Sequence, residues 1–273
     1  MSDAPKIANV AVVSLADAPK RIAGLVWGPA GVGKTTLAST MPGKKLWLNF
    51  DPGGLESIKH VPNIIAADYT ASPVSIVESF KTENPGRIED VLKADTDIES
   101  VIVDSTTSFG DMALEHGVPH AARTAQHRSA TLEDPGYGGY GRKLTWTMMM
   151  MKNVQRSAAR FGCHTMFIAH ESTPDKDKEG NIQQISIHMS NTALVEVPPK
   201  LSEIWYMYDT GKERRIAVRP IRYFKPMKTR MFLVTPDRPE FVFRYDATTM
   251  EGEGIQDWFE QWEQAPGKIP LPK

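Results

Sequence analysis

Short apolar runs recur along the first two thirds of the chain and predict buried strands. These runs lie at 22–27, 45–51, 63–67, 101–105 and 163–170. Helical patterns are predicted between several of them, at 35–40, 87–94 and 142–161. The last of these is the clearest, because apolar residues recur through it at helical spacing.

The last third of the chain is rich in predicted strands. Apolar runs at 201–208 and 214–219 flank a turn at 209–212, which together predict a hairpin. Further strands are predicted at 232–235 and 241–245. We divide the chain into an N-terminal extension (1–20), a core (21–250), and a C-terminal helix with a loose tail (251–273).

Composition narrows the broad class of protein. The 273 residues carry a formal net charge of −1, so no global field attracts nucleic acid or a membrane, although a local patch can still do so. Cys163 is the only cysteine, which excludes an intramolecular disulfide and suits a reducing compartment. No apolar run reaches the roughly 18–20 residues that a membrane-spanning helix needs, and the start has no signal-peptide pattern. We therefore expect a cytoplasmic protein with no membrane partner.

One glycine-rich stretch carries the clearest chemical signal. Gly28-Pro29-Ala30-Gly31-Val32-Gly33-Lys34-Thr35, followed by Thr36, fits the phosphate-binding pattern G-x-x-x-x-G-K-[ST] at every fixed position. It lies between a predicted strand and a predicted helix, where backbone N–H groups can point at phosphate oxygens. We expect Lys34 to reach the β- and γ-phosphates of ATP and the Thr35 hydroxyl to bind Mg²⁺.

A second apolar strand, Val101-Ile102-Val103-Asp104, ends in an acid. This is the Walker B pattern, in which the aspartate holds Mg²⁺ through water. Ser105 follows, whereas many ATPase motors carry a glutamate there as the base that activates water. The candidates for that base are Asp51, which ends the strand 45–51, and Glu171. For Asp51, capping of the following Pro-Gly-Gly turn is an equally good interpretation.

The strand 163–170 ends at His170, which we expect to lie beside the γ-phosphate and to sense its hydrolysis. A metal-binding role for His170 is disfavoured, because no second ligand lies at a suitable spacing.

Two further segments predict contact with an anionic polymer. Residues 134–141 hold four glycines and two tyrosines, which predicts a mobile loop with two aromatic faces for base stacking, or alternatively a connection whose tyrosines pack locally. Residues 212–230 hold eight basic residues against Glu213 alone, which favours an anion-binding face over a solvated hairpin. We assign DNA binding to Tyr137, Tyr140, Arg142 and Arg128.

With these motifs in this order, the chain resembles the RecA-like ATPases. More narrowly, it is similar to the phage-type, single-domain ATP-binding proteins of single-strand annealing and recombination. The resemblance spans roughly residues 20–250 and rests on four features. They are the P-loop, Asp51-Pro52-Gly53-Gly54, Val101 to Ser105, and Ala169-His170-Glu171.

The resemblance implies an α/β fold with a central, mostly parallel sheet flanked by helices and a β-rich C-terminal third. It implies ATP and Mg²⁺ at subunit boundaries of a homo-oligomeric ring or filament, and mobile loops that grip single-stranded DNA. The segments 134–141 and 171–193 are the best matches for such loops. Lys228 and Arg230 resemble the basic pair that reaches the γ-phosphate in a neighbouring subunit. It also implies a phage-encoded protein acting in a bacterial host.

The resulting prediction is an ATPase that binds single-stranded DNA and assists recombination or annealing. Two alternatives remain open at this stage. One is a P-loop kinase acting on a small molecule, and the other is a DNA-binding module that ATP switches with negligible turnover.

Overall fold

The computed structural model describes residues 6–7, 10–11, 14, 18–70, 86–122 and 130–273. The strands before residue 200 are β1 (Lys6–Ile7), β2 (Val10–Ala11), β3 (Ala23–Gly28), β4 (Lys44–Asn49), β5 (Ile64–Asp68), β6 (Ile98–Asp104), β7 (His164–His170), β8 (Asp175–Lys176) and β9 (Ile182–Gln184). The later strands are β10 (Glu203–Asp209), β11 (Arg214–Ala217), β12 (Phe232–Leu233), β13 (Glu240–Phe243), β14 (Tyr245–Asp246), β15 (Glu251–Gly252) and β16 (Ile269–Pro270).

The α-helices are α1 (Lys34–Ser39), α2 (Gly86–Ala94), α3 (Thr106–Ala122), α4 (Gly136–Arg160), α5 (Asn191–Glu196) and α6 (Ile255–Gln264). Short 3₁₀ turns lie at Gly54–Ser57 and Pro198–Lys200. Within the described ranges, none of the helices combines the length and the apolar character needed to span a bilayer.

Eight strands form the central sheet, in the order β13-β11-β10-β3-β7-β6-β4-β5. The six from β10 to β5 are parallel, and β11 and β13 add an antiparallel edge. This arrangement confirms the expected mostly parallel sheet with a β-rich C-terminal part. It brings the carboxyl ends of β3, β4, β6 and β7 to one edge, where ligands of open parallel sheets bind.

Apolar layers cover both faces of the sheet. On one face, Phe109 of α3 and Met150 of α4 pack with Phe167 of β7. On the other face, Leu37 of α1 and Trp258 of α6 pack over the opposite side of the strands. Each fully buried side chain of this size contributes about 1.5–3 kcal/mol of transfer free energy, so both helical layers hold the sheet firmly.

The predicted loop at 134–141 is wrong, because α4 begins at Gly136 and runs through it. Tertiary packing overrides the low helix propensity of glycine here. A Cβ added to Gly139 would lie 2.9 Å from Cβ of Pro135 and 3.2 Å from a methyl carbon of Val118 on α3. A Cβ added to Gly117 of α3 would lie 3.1 Å from Cβ of Arg142. The glycines therefore let α3 and α4 approach closely, which side chains at these positions would oppose.

The tail and the segment after β7 are also more ordered than predicted. Ile269 of β16 pairs in parallel with Phe232 of β12, and both Ile269 and Leu271 are buried. The segment after Glu171 was expected to be a mobile loop, but β8 and β9 form a hairpin within it. Asp177 stabilises the hairpin turn by accepting hydrogen bonds from the backbone N–H groups of Glu179 and Asn181.

Candidate active site

The glycine-rich stretch forms a loop between β3 and α1, as its pattern predicts. Gly28 ends β3 at a point where an added Cβ would lie 2.0 Å from the carbonyl oxygen of Met207 on β10, so only glycine fits there. Gly33 has a φ of 96°, in the left-handed region that favours glycine. A Cβ added to Gly31 would meet nothing within 4 Å, so this side of the loop is open to a ligand.

Lys34 begins α1 and is almost completely buried. Its ammonium group donates hydrogen bonds to the carbonyl oxygens of Gly28 (3.0 Å) and Pro29 (2.5 Å) within the loop. Burial lowers the pKa of Lys34 to about 8, although Asp104, Asp51 and Glu171 each oppose the shift. The charge is thus held at the loop, where phosphate oxygens would replace carbonyl oxygens as its partners.

Thr35 and Asp104 meet next to this ammonium group. The Thr35 hydroxyl donates a hydrogen bond to Oδ2 of Asp104 (3.1 Å), which ends β6 and is only 1% exposed. Burial, together with the charge of Asp51, raises the pKa of Asp104 to about 7. A hydroxyl and a carboxylate are hard oxygen ligands of the kind that Mg²⁺ prefers, so this pair fits a magnesium ion.

A magnesium ion at this pair would need additional ligands. Among the residues that the structure describes, no group of three or more His, Cys, Asp or Glu side chains is arranged to hold a metal. Nucleotide phosphate oxygens and water would therefore complete the coordination, as is usual for Mg²⁺ in nucleotide sites.

Asp51 and His170 form a second cluster at the same edge. Oδ2 of Asp51 lies 3.5 Å from Nε2 of His170, and Oδ1 accepts hydrogen bonds from Ser105 (3.0 Å) and Ser108. Burial on its own would raise the pKa of Asp51, but the hydrogen bonds from His170 and the two serines outweigh it and leave this pKa lowered. Asp51 is therefore a carboxylate at neutral pH.

Sequence reasoning missed the hydroxyl groups that support this cluster. Ser105, Thr106, Thr107 and Ser108 directly follow the β6 aspartate. Thr107 accepts a hydrogen bond from the backbone N–H of His170, and Thr106 donates one to the carbonyl oxygen of Ile168. A run of four hydroxyl residues after a Walker B strand is the signal that could have identified them.

Glu171 is held by a residue that the sequence did not single out. The Tyr206 hydroxyl donates to Oε2 of Glu171 (3.1 Å), while the Glu171 backbone N–H donates to the carbonyl oxygen of Gly28. Burial, reinforced by the Glu171 charge, raises the pKa of Tyr206, so the phenol keeps its proton and remains a donor. Tyr206 stacks on Phe224, with ring centroids 4.4 Å apart.

The basic pair lies away from this edge. Lys228 pairs through its backbone with Ile204 near the amino-terminal end of β10, and its ammonium group donates to the carbonyl oxygen of Leu201 (2.6 Å). Arg230 is exposed, and its backbone N–H donates to the buried carboxylate of Glu203 (2.9 Å). Within one subunit, the structure therefore does not bring this pair to the P-loop.

The residues assigned to DNA binding lie on the first turns of α4. Tyr137 is 89% exposed and Tyr140 is 55% exposed, and a spacing of three residues places both on one helical face. The Arg142 guanidinium instead lies 6.0 Å from the centre of the Trp146 ring. Arg128 falls outside the described residues.

Comparison with known proteins identifies the family. Residues 20–236 match AAA_24, described as an AAA domain. No curated protein sequence matches the chain. Among the solved structures that match is the crystal structure of the RadB recombinase, at 15% identity, covering 83% of this chain and 88% of that chain, with a TM-score of 0.44. Because the family match spans well over half of the chain and includes the P-loop, the protein belongs to the AAA_24 family.

Proposed function

We propose that the protein hydrolyses ATP in response to single-stranded DNA and that it assists recombination or strand annealing. The observation that carries the proposal is the Thr35–Asp104 hydrogen bond beside Lys34, at the carboxyl edge of the sheet. This arrangement supports Mg²⁺-ATP as the ligand, because it offers one cation for the phosphates and two oxygen ligands for the metal.

In this proposal the loop residues from Gly28 to Thr36 bind the phosphate chain, and Lys34 neutralises its β- and γ-phosphates. Thr35 binds the metal directly and Asp104 does so through water. The bound Mg²⁺ would supply charge neutralisation at the transferred phosphoryl group. The ammonium group of Lys34 and the carboxyl group of Asp104 thus already interact electrostatically before any ligand binds.

We assign the orientation of the attacking water to Glu171. Tyr206 occupies one oxygen of Glu171, whereas both oxygens of Asp51 have partners among His170 and the two serines. Asp51 then serves to hold the imidazole of His170, and His170 senses whether the γ-phosphate is present. Ser105 occupies the position next to Asp104 where other ATPases carry their glutamate, so slow hydrolysis is part of the proposal.

The position of the basic pair supports a site shared between subunits. Arg230 is exposed and lies near the amino-terminal end of β10, whereas the P-loop lies at the carboxyl ends of the parallel strands. Its charge would complete a neighbour's site in a ring or filament. Lys228 is engaged by backbone carbonyl groups, so Arg230 is the stronger candidate of the two.

Single-stranded DNA would bind at the exposed start of α4. The rings of Tyr137 and Tyr140 project from one helical face, and each base stacked on an aromatic ring contributes about 1–3 kcal/mol. The engagement of Arg142 with Trp146 leaves the tyrosines as the principal contacts on this helix.

The test is ATP hydrolysis measured without DNA, with single-stranded DNA and with duplex DNA of the same length. We expect stimulation by the single strand only. Hydrolysis that is indifferent to DNA would contradict the proposal and favour a small-molecule kinase. ATP-dependent DNA binding with no hydrolysis would instead favour a DNA-binding module that ATP switches. This module is the second candidate function, because Ser105 stands next to Asp104 where many ATPase motors carry a glutamate.

A further inference from the structure

Arg214, on β11, lies against the P-loop of its own subunit. A Cβ added to Gly33 would lie 3.0 Å from Nη1 of Arg214 and 3.4 Å from its Cζ. Gly33 directly precedes Lys34, so this guanidinium is a second cation at the phosphate-binding loop. The basic run predicted this charge only as part of a general anion-binding face.

The guanidinium of Arg214 has no partner among the described residues, in contrast to its neighbour on the same strand. Arg215 donates to Glu213 and, at 2.8 Å, to Glu240, which together neutralise it. No hydrogen bond or ion pair within the described chain engages the Arg214 side chain. An arginine held against a loop without a carboxylate is available to an anionic ligand.

A cleft of about 700 Å³ extends from this arginine. Thr36, the last residue of the nucleotide-binding stretch, lines it together with residues of β14 and β15. Arg244 and Tyr245 line it together with two acids, Asp246 and Glu251. The volume is in the range of pockets that bind small molecules of nucleoside size.

The charged side chains that line the cleft favour one orientation of a bound nucleotide. The carboxylates of Asp246 on β14 and Glu251 on β15 repel phosphate groups, whereas they can accept hydrogen bonds from the hydroxyl groups of a ribose. The guanidinium of Arg214 can instead make two parallel hydrogen bonds to phosphate oxygens. A nucleotide therefore fits with its phosphates towards Arg214 and its nucleoside towards β14 and β15.

We propose that Arg214 is a phosphate ligand supplied by the same subunit that contributes the P-loop, and that it binds the end of the phosphate chain nearest the nucleoside. The inference rests on nucleotide binding at the P-loop and adds a residue to that site. Arg214 thus differs from Arg230, for which the proposed partner is a nucleotide in a neighbouring subunit.

The experiment measures equilibrium binding of a fluorescent ADP analogue, mant-ADP, to the full chain. We expect Arg214→Ala to raise the Kd at least tenfold, and Arg214→Lys to give an intermediate Kd because a lysine is a point charge. Arg238→Ala, which removes an exposed arginine whose guanidinium donates to the carbonyl oxygen of Pro272, is the matched control. Thermal unfolding without nucleotide checks that each variant folds.

Competition by inorganic pyrophosphate separates a phosphate contact from mere packing against Gly33. The inhibition constant of pyrophosphate is calculated for each protein with that protein's own Kd for mant-ADP. Arg214→Ala should raise this inhibition constant above the wild-type value. A mant-ADP Kd within twofold of wild type for a folded Arg214→Ala variant would overturn the proposal. If Lys34→Ala loses binding in that case, nucleotide binding at the P-loop stands and only the role of Arg214 fails. If wild-type protein binds no mant-ADP, both proposals fail.

Discussion

At the scale of single residues, burial sets the chemistry of the site. Lys34 and Asp104 lie close together and are each almost fully buried, and desolvation disfavours the charged form of both. In the free protein the pKa of Lys34 is therefore lowered to about 8 and the pKa of Asp104 is raised to about 7. A bound phosphate chain with its metal would favour the charged forms again, so ligand binding and protonation are coupled here.

Nucleotide affinity should fall as the pH rises through about 8, the pKa of Lys34. Above that pH the free protein carries a neutral amine, and binding requires its protonation, so the Kd rises by up to about tenfold per pH unit. Measurement of mant-ADP binding between pH 7 and 9.5 tests this. Lys34→Arg should remove the pH dependence, because arginine stays protonated, and Lys34→Ala should abolish binding. A wild-type Kd that is constant over this range would contradict the pKa argument.

The two candidate carboxylates should behave differently when they are neutralised. Glu171→Gln should lower the ATP turnover rate by about 100-fold or more while leaving the nucleotide Kd within a few fold, because it removes the group that orients water. Asp51→Asn should lower turnover less, since it acts through His170. Single-turnover hydrolysis and mant-ADP binding distinguish the effects, and the reverse order of rate losses would make Asp51 the base.

At the scale of elements, the close contact of α3 and α4 stabilises the first turns of α4, which carry the exposed rings of Tyr137 and Tyr140. The helix begins within a sequence that contains four glycines, because Gly139 and Gly117 let two backbones approach where larger residues would collide. The helical start fixes the relative direction of Tyr137 and Tyr140, which a loop would leave variable.

Two alanine substitutions on this helix should have opposite effects on stability. A Cβ on Gly141 meets nothing within 4 Å, so Gly141→Ala should raise the free energy of unfolding by about 0.5–1 kcal/mol through helix propensity. Gly139→Ala should lower it, because its Cβ would collide with Pro135. Urea denaturation measures both, and an equal gain for the two variants would show that α3 and α4 are not closely packed.

Replacement of both Tyr137 and Tyr140 by alanine should weaken single-strand binding more than duplex binding, because unpaired bases are free to stack on the exposed rings. The double phenylalanine variant keeps the rings and serves as the control, with near wild-type affinity. Fluorescence anisotropy at several salt concentrations gives the measurement. A log–log slope of about −0.7 per neutralised phosphate reports the ionic contacts separately. Equal losses for single strands and duplexes would contradict stacking.

At the scale of the whole molecule, the sheet separates the groups that we assign to catalysis. Residues Lys34, Asp104, Asp51, His170 and Glu171 meet at its carboxyl edge, whereas Lys228 and Arg230 lie near the amino-terminal end of β10. One subunit therefore cannot supply both sets to one nucleotide. An assembly in which neighbours face each other through opposite ends would do so.

Mixed assemblies test this sharing directly. Arg230→Ala and Lys34→Ala should each lower ATP turnover alone, by about 10³-fold or more if Arg230 acts as an arginine finger. Mixing the two proteins should restore part of the rate, because an intact P-loop then meets an intact arginine of a neighbour. Turnover of the mixture equal to the average of its components would exclude a site shared in this way.

Much of the sheet was predictable, because buried parallel strands are short apolar runs bounded by turns. β3, β6, β7 and the β10–β11 hairpin all lie where the pattern placed them. Helix α3 and the start of α4 were missed, since their stability comes from mutual packing rather than from local propensity. The pairing of Ile269 with Phe232 was missed for the same reason, because it depends on a contact between distant segments.

The sequence by itself determined the phosphate-binding loop and the polar residues that end the strands, because both are local patterns of residue type and spacing. Only the tertiary structure decided which of those residues meet. It placed Tyr206 on Glu171, the serine hydroxyls on Asp51 and Arg214 against Gly33, and it kept Arg230 away from the P-loop. The physical reason is that strand order and register, which set these distances, arise from packing among segments far apart in the chain.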